Sequence, residues 1–420
     1  MFNSNQKPTI TIIGAGISGL VAAIQLEQLG YHPIILEGQK SIGGRVQTDI
    51  VEGFQLDRGF QVLLEAYPMA KKYLNYDALK LQKLDDGALL FSSGRASTFG
   101  DPRRNSKFLL PTLLSGHATL ADKWKVFRLN KRLTKEQLPA IFEQPSLSTH
   151  DYLKAQGFSD KVVESFFKPF FNGIFLEPDL ITSSRMFEFV YKMFGEGSAT
   201  IPLKGIGEIP AQLNRQLKQT TFHLGTKVRQ VKGTEILLEN GETMKSDFTI
   251  VATNPDQIIP NYVSSLQWKS CENLYFHCKS RAFSAPIIGL NTNTSALVNN
   301  IFYPTSVKSE TQGNDELLSV TVVKAHALDN DTLALRVQEE LREHFNIETE
   351  GLIAHYKIPQ ALPQLEDLQY EREAAEHLLT EHIALAGDHI LNGSLNAAMT
   401  SGENAAFAAH GALQRIPIKA

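Results

Sequence analysis

The sequence contains only two cysteines, Cys271 and Cys278, among 420 residues. Two thiols exclude a disulfide framework and an iron–sulfur cluster held by four cysteines, and they fit a reducing compartment. They are not spaced as Cys-x-x-Cys or Cys-x4-Cys, so we expect no flavoprotein of the disulfide-reductase type. No His-Glu-x-x-His motif or zinc-like Cys/His spacing is present either, so we expect no metal.

Long apolar runs and a strong basic excess are also missing. No stretch approaches the ~18 apolar residues of a membrane-spanning helix. Residues 1–7 lack the apolar core of a signal peptide, which predicts a cytoplasmic protein. The net charge of −4 argues against nucleic acid as the main partner. The composition, 42% hydrophobic, is that of an ordinary globular protein, and 420 residues are enough for two domains.

A glycine-rich stretch follows the first predicted strand. Residues 9–13 form a β-branched run, and Gly-Ala-Gly-Ile-Ser-Gly occupies 14–19. Apolar residues then recur at helical spacing up to Gly30, and a second apolar strand at 34–36 ends in Glu37. This order of strand, glycine turn, helix, strand and acid predicts a βαβ unit that binds a dinucleotide.

Each residue of that turn has a physical role in such a site. Gly14 permits the tight turn, Gly16 lets a pyrophosphate approach the backbone, and Gly19 lets the helix pack closely on the sheet. The helix start around Ser18 offers free N–H groups and a partial positive charge. Glu37 can accept hydrogen bonds from ribose hydroxyls.

Two further motifs lie downstream of this unit. Gly43-Gly44-Arg45 allows close backbone approach and supplies a cation for a phosphate or a flavin carbonyl. Together with the fingerprint and Glu37, it resembles the FAD-binding start of the amine oxidase, protoporphyrinogen oxidase and phytoene desaturase superfamily. Asp-Arg-Gly-Phe-Gln at 57–61 and Phe-Lys-Pro-Phe-Phe-Asn-Gly at 167–173 resemble the desaturase-like branch in particular. The resemblance implies FAD rather than NAD, contacts from Gly59, and Arg58 and Gln61 as candidates beside the isoalloxazine.

Later segments carry the same resemblance. Residues 226–228 and 250–253 are similar to the second FAD segment, which implies that the Val228 backbone covers the adenine and that Thr253 is near the cofactor. A buried strand at 383–386 ends in Gly387-Asp388, and Ser394-Leu395 opens a helix. The resemblance implies that Asp388 bonds the ribityl or phosphate region and that the Leu395 amide meets the flavin edge. No cysteine lies near 393–398, so we expect non-covalent FAD.

These segments together predict an α/β fold with two domains. We expect a discontinuous, Rossmann-like FAD-binding domain of three ββα layers from residues 1–75, 205–260 and 380–420. An α+β substrate domain would use 76–204 and 261–379, with a mixed sheet and a helical insertion at 103–200. Because no second GxGxxG follows a strand, we expect electrons to leave to oxygen or a quinone rather than NAD(P).

The region 166–194 holds eight of the 24 phenylalanines. Ser183 or Ser184 is a candidate cap for a helix there, and Gly195 could end it. Helical stripes on two faces predict either plain core packing or an apolar substrate pocket. A long polyisoprenoid or a tetrapyrrole-like molecule would suit such a pocket.

The segment 103–135 is strongly basic. It holds nine Lys or Arg residues against one acid, Asp122, and its apolar residues recur at helical spacing. Such a segment is either a solvated charged face or a peripheral contact with an anionic membrane.

The sequence therefore favours an FAD-dependent oxidoreductase that takes hydride from an apolar small molecule. A flavin amine oxidase and a non-catalytic flavin- or isoprenoid-binding protein remain alternatives.

Overall fold

The computed structural model describes residues 7–100, 118–264 and 266–415. The part of the basic segment at 103–117 lies outside these residues. No helix within the described ranges is long and apolar enough to cross a membrane.

The strands, in chain order, are β1 (Ile10–Ile13), β2 (Ile34–Glu37), β3 (Thr48–Val51), β4 (Phe54–Asp57), β5 (Leu63–Leu64), β6 (Gln82–Lys83), β7 (Gly87–Ser92), β8 (Arg95–Gly100), β9 (Ala199–Ile201), β10 (Thr221–Leu224), β11 (Val228–Lys232), β12 (Glu235–Leu238), β13 (Thr243–Lys245), β14 (Phe248–Val251), β15 (Gln267–Cys278), β16 (Ile288–Asn291), β17 (Val298–Phe302), β18 (Glu316–Val322), β19 (Gly351–Gln364), β20 (Leu378–Thr380) and β21 (Ile383–Leu385).

The helices are α1 (Ile17–Gln28), α2 (Pro68–Tyr73), α3 (Tyr76–Leu79), α4 (Leu120–Leu133), α5 (Leu138–Glu143), α6 (Thr149–Ala155), α7 (Asp160–Val162), α8 (Lys168–Phe175), α9 (Ser184–Glu196), α10 (Glu208–Gln216), α11 (Asn330–Glu340) and α12 (Leu395–Arg415). A π-helical turn at Val163–Phe167 joins α7 to α8, and a second one at Leu341–Phe345 extends α11.

The first large sheet has the strand order β10-β2-β1-β14-β21-β20. The strands from β10 to β21 pair in parallel, and β20 joins antiparallel to β21. The predicted β1–α1–β2 unit is present, and all four residues of β1 are buried. The helices α1 and α12 pack together so closely that a Cβ at Gly402 would lie 2.2 Å from the Ser18 carbonyl oxygen.

The second large sheet has the order β19-β15-β18-β17-β16-β7-β8. Its pairs are antiparallel except for β7 with β16, so it is a mixed sheet. Helix α11 covers one face through buried Leu333 and Val337. The predicted α/β class is thereby confirmed, whereas the exact domain boundaries stay a prediction.

The segment between residues 118 and 196 is helical and contains an aromatic core. Phe167, Phe171 and Phe187 are fully buried in it and lie within 6.4 Å of one another between ring centroids. The Ser183 hydroxyl accepts a hydrogen bond from Arg185 N and caps α9, as predicted. The helix continues through Gly195 to Glu196, so Gly197 rather than Gly195 follows its end.

Candidate cofactor and substrate site

A cavity of about 1270 Å³ runs between the first sheet and the aromatic helices. It is larger than the ~300–1,000 Å³ of common ligand pockets. Its walls begin at the carboxyl ends of β1 and β2, where doubly wound sheets bind ligands, and end at α8 and α9.

The structure brings nearly all of the predicted site residues to this cavity. Gly19 and Val228, both described, do not line it: a Cβ at Gly19 would lie 2.0 Å from the Gly14 oxygen, and buried Val228 opens β11. Gly19 therefore has the predicted packing role, and the contact of Val228 with adenine stays a prediction. The residues that do line the cavity are Gly14, Gly16, Ser18, Glu37, Gly43, Gly44, Arg45, Arg58, Gly59, Gln61, Thr253, Gly387, Asp388, Ser394 and Leu395.

Two glycine loops form one backbone surface at the start of α1. Gly43 N donates to Ala15 O at 2.8 Å, and a Cβ at Gly44 would lie 3.4 Å from the Gly16 Cα. A Cβ at Gly16 would meet no atom of the described residues within 4 Å, because it would project into the cavity. This bare backbone at a helix N-terminus fits the pyrophosphate of a dinucleotide.

Glu37 lies beside this surface and is only 9% exposed. Its carboxylate accepts hydrogen bonds from Ala15 N at 2.7 Å and Gln39 N at 2.8 Å. These bonds fix the side chain, and two oxygens with about four lone-pair sites leave it able to accept from ribose hydroxyls.

Arg45 and Asp388 join the two ends of the sequence at the cavity wall. An Arg45 Nη2 donates to Asp388 Oδ1 at 2.5 Å, and Nη1 donates to Ala361 O at 3.1 Å. The guanidinium carbon lies 5.2 Å from the centre of the Trp268 ring, a cation–π distance. The motifs of residues 43–45 and 387–388 therefore form a single polar wall.

Two buried polar atoms in this wall lack partners among the described residues. They are Trp268 Nε1 and His389 Nε2, and both residues line the cavity. Burial lowers the pKa of His389, so its ring is neutral near pH 7. Since buried polar atoms are normally hydrogen-bonded, the pair indicates a polar ligand at this point, which the FAD molecule fits. No motif of the sequence marks Trp268.

The two candidates beside the isoalloxazine line the cavity but bind protein groups. Arg58 forms a bidentate pair with Asp49 through bonds of 2.8 and 2.9 Å. Gln61 Nε2 donates to the carbonyls of Arg45 and Arg58, both at 3.0 Å. Their visible role is to hold the loop around Gly59, and a part in catalysis stays a prediction.

The far end of the cavity is apolar. Five of the eight phenylalanines in the region 166–194 line it, while Phe167, Phe187 and Phe189 are fully buried behind them. This region therefore supplies both an apolar cavity wall and core packing, and Phe171 belongs to both; a substrate in the cavity stays a prediction. The apolar lining residues of this chamber are Phe99, Phe166, Phe170, Phe171, Ile174, Phe175, Met186, Val190, Tyr191 and Phe194.

One charged pair in the cavity wall was not anticipated. Glu177 and Lys269 form an ion pair and are 4% and 10% exposed. They lie 92 residues apart in sequence. In the sequence, each of these charged residues stands close to aromatic residues, but no spacing rule relates two residues so far apart.

The comparison with family models decides where this chain belongs. A model described as flavin containing amine oxidoreductase matches residues 17–410. The chain belongs to that family. Membership confirms the family predicted from the sequence, and with it FAD as the cofactor.

Individual relatives are distant. The chain is 23% identical over 329 residues to the 15-cis-phytoene desaturase of Glycine max, covering 69% of this chain and 55% of that protein. It is 23% identical over 310 residues to the coproporphyrinogen III oxidase of Bacillus subtilis, covering 63% of each. The cyclohexylamine oxidase of Brevibacterium oxydans shares the fold, with a TM-score of 0.68, 14% identity and coverage of 98% and 100%. The chain thus spans about half the length of the plant desaturases it matches.

Proposed function

We propose that this chain is an FAD-dependent oxidoreductase that takes hydride from an apolar substrate, in the manner of phytoene desaturases and protoporphyrinogen oxidases. One observation carries the proposal: a single cavity joins the predicted FAD residues to a chamber walled by aromatic side chains. The relative named for phytoene acts on a hydrocarbon, which supports this substrate class. The relative named for coproporphyrinogen acts on a large tetrapyrrole that also carries carboxylate side chains.

The residues have distinct tasks in this proposal. The backbone around Gly14 and Gly16 holds the pyrophosphate at the start of α1, and Glu37 holds the ribose. Arg45 and Asp388 hold the middle of the cofactor, and the Leu395 amide at the start of α12 meets the flavin edge. When bound, FAD supplies the acceptor for the hydride. The aromatic chamber orients the substrate and excludes water around the reacting carbon.

The experiment is anaerobic reduction of the purified, FAD-loaded protein. Bleaching of the flavin absorbance by apolar polyenes or by a porphyrinogen is expected, without a response to a panel of amines. Reduction by amines with release of peroxide in air would instead identify an amine oxidase. A bound flavin that no compound of either panel reduces would indicate the non-catalytic binder. Acid precipitation should release the flavin, because we propose that it is not covalently linked.

The electron acceptor is tested on the same reduced protein. We propose that oxygen or a quinone reoxidises it, since no second dinucleotide fingerprint occurs in the sequence. Mixing with air-saturated buffer and with a soluble quinone under nitrogen compares the two rates. Reoxidation by NADP⁺ alone would contradict the proposal.

A specific feature of α4 favours peripheral membrane contact. Leu120, Trp124 and Phe127 are 78%, 58% and 50% exposed on a helix that also carries five Lys or Arg residues between 123 and 132. Phe127 also lines the cavity, so the exposed apolar surface continues into the substrate chamber. Apolar side chains flanked by cations suit an anionic bilayer surface.

Vesicle flotation tests this contact. The protein should float with vesicles of phosphatidylcholine and phosphatidylserine, and a variant with serine at 120, 124 and 127 should not. Leu335→Ser is the matched control, because Leu335 is 62% exposed on α11. Equal flotation of both variants, or none by the wild type, would refute membrane contact through α4.

A further inference from the structure

The cavity contains a charged group that the proposed chemistry does not use. The Lys269 ammonium contacts the Glu177 carboxylate and donates to the Thr182 hydroxyl at 2.8 Å. Glu177 also accepts from Thr182 N at 2.7 Å and from Thr182 Oγ1 at 2.8 Å. All three residues line the cavity.

The position of this pair in the fold places it between the two parts of the cavity. Glu177 follows α8 and Thr182 precedes α9, so the pair lies at the connection between the two aromatic helices. Lys269 lies on β15 directly after Trp268, which contacts Arg45 on the cofactor side. Lys269 therefore stands where the apolar chamber meets the part of the cavity predicted to hold the flavin.

The Lys269 ammonium has one N–H donor more than the acceptors that the described residues offer it. An ammonium has three N–H donors, and Glu177 and Thr182 take two of those of Lys269. The third has no acceptor among the residues that the structure describes. A buried charged donor with an unmade bond is costly, and a pure hydrocarbon offers nothing to receive it.

We propose that the substrate is an apolar molecule carrying one neutral hydrogen-bond-accepting oxygen, a hydroxyl or a carbonyl, which Lys269 binds. This inference rests on the proposed function and specifies its substrate class. The oxygen bound at Lys269 is neutral because Glu177 already balances the charge of Lys269, so a carboxylate at this point would be an uncompensated charge. A substrate ammonium has no lone pair to accept the remaining N–H of Lys269, which argues against amines.

The test compares two probes that share one carbon skeleton, of which only one carries a hydroxyl group. Farnesol and β-farnesene are C15 isoprenoids with and without a hydroxyl group. Each is titrated into the FAD-loaded wild-type protein, and binding is followed by the change in flavin absorbance. Farnesol should bind about 10-fold more tightly, the scale of one hydrogen bond to a charged donor.

Lys269→Met removes the donor and keeps the apolar stem. We expect this variant to bind the two probes equally and to keep the wild-type affinity for farnesene. The double variant Glu177→Gln with Lys269→Met removes both charges and serves if the single variant, with its unpaired carboxylate, does not fold. Lys192→Met is the matched control, because Lys192 is 6% exposed and paired with Glu196 but does not line the cavity.

The outcomes separate the two proposals. If the wild type binds farnesol and farnesene equally, or if Lys269→Met keeps the preference for farnesol, the oxygen site is refuted and the proposed function stands. If neither probe changes the flavin spectrum nor binds in equilibrium dialysis, the apolar substrate site fails, and the present inference fails with it. A preference lost in Lys269→Met but kept in Lys192→Met supports the inference.

Discussion

The substitution Gly16→Ala should separate the fold from cofactor binding. Gly16 has φ −74° and ψ −178°, an extended conformation that alanine adopts without strain. Its new methyl group would meet no described protein atom within 4 Å. Alanine restricts the unfolded chain, but Gly16 is the N-cap of α1, where alanine is the poorer residue; the two effects oppose each other, so the free energy of unfolding of the apoprotein should change by less than about 1 kcal/mol.

The same methyl group would occupy the space proposed for the pyrophosphate. A methyl group forced into a filled site costs about 1–3 kcal/mol, so FAD affinity should fall about 10- to 100-fold. Urea unfolding of the apoprotein measures the first quantity, and quenching of flavin fluorescence on titration with FAD measures the second. Unchanged FAD affinity, or a clear loss of apoprotein stability, would refute the placement of the cofactor against Gly16.

Gly19→Ala, three residues away, is the matched control, for which we expect a clear loss of stability. Its Cβ would lie 2.0 Å from the Gly14 oxygen, a backbone atom that cannot move without shifting β1 or α1. The apoprotein should lose about 1–3 kcal/mol in free energy of unfolding. If the two substitutions had the same effect on stability, the geometry of this turn would be wrong.

Two further predictions concern stability alone. Burial raises the pKa of Asp57 to about 6, above its ordinary value of 3.8, despite its bonds to Thr48 and Ile206. The folded state therefore holds its proton longer than the unfolded chain, and its stability falls as pH rises from about 4 to 6, by up to about 3 kcal/mol at ~1.4 kcal/mol per pKa unit. The variant Asp57→Asn should not show this fall, so it should be more stable than the wild type at pH 7.5 but not at pH 4. Urea unfolding of both proteins at the two pH values measures the difference. Gly402→Ala should lower the melting temperature, because the new Cβ would lie 2.2 Å from Ser18 O, whereas Gly411→Ala on the same helix meets no described atom within 4 Å and should not. Equal melting temperatures would contradict the close approach of α1 and α12.

The elements that the sequence predicted best are those whose causes are local. The order of residues 9–37 predicted β1, α1 and β2, because apolar periodicity and a glycine turn act within about 30 residues of chain. The Ser183 cap is local for the same reason. The end of α9 was displaced by two residues, because Gly195 and Gly197 both allow a stop and only tertiary packing selects between them.

The features that the sequence could not predict depend on distant parts of the chain. Glu177 contacts Lys269 only because the fold places β15 against the loop between α8 and α9. Asp57 begins a recognisable motif, yet its carboxylate accepts hydrogen bonds from Thr48 and Ile206, which lie 9 and 149 residues away. The sequence identified the aromatic region at 166–194. Whether each ring packs in the core or lines the cavity depends on the elements that pack against its helix, which the local sequence does not specify.

The strand order of the first sheet has a consequence for biosynthesis. β1 is made early, but its second neighbour β14 begins at Phe248, and β21, which completes the parallel run, begins only at Ile383. Pairings between such distant segments form slowly and after emergence of the whole intervening chain. A ribosome-bound nascent chain that stops before Ile383 therefore lacks both the last parallel strand of this sheet and the residues between 387 and 395 that line the cavity.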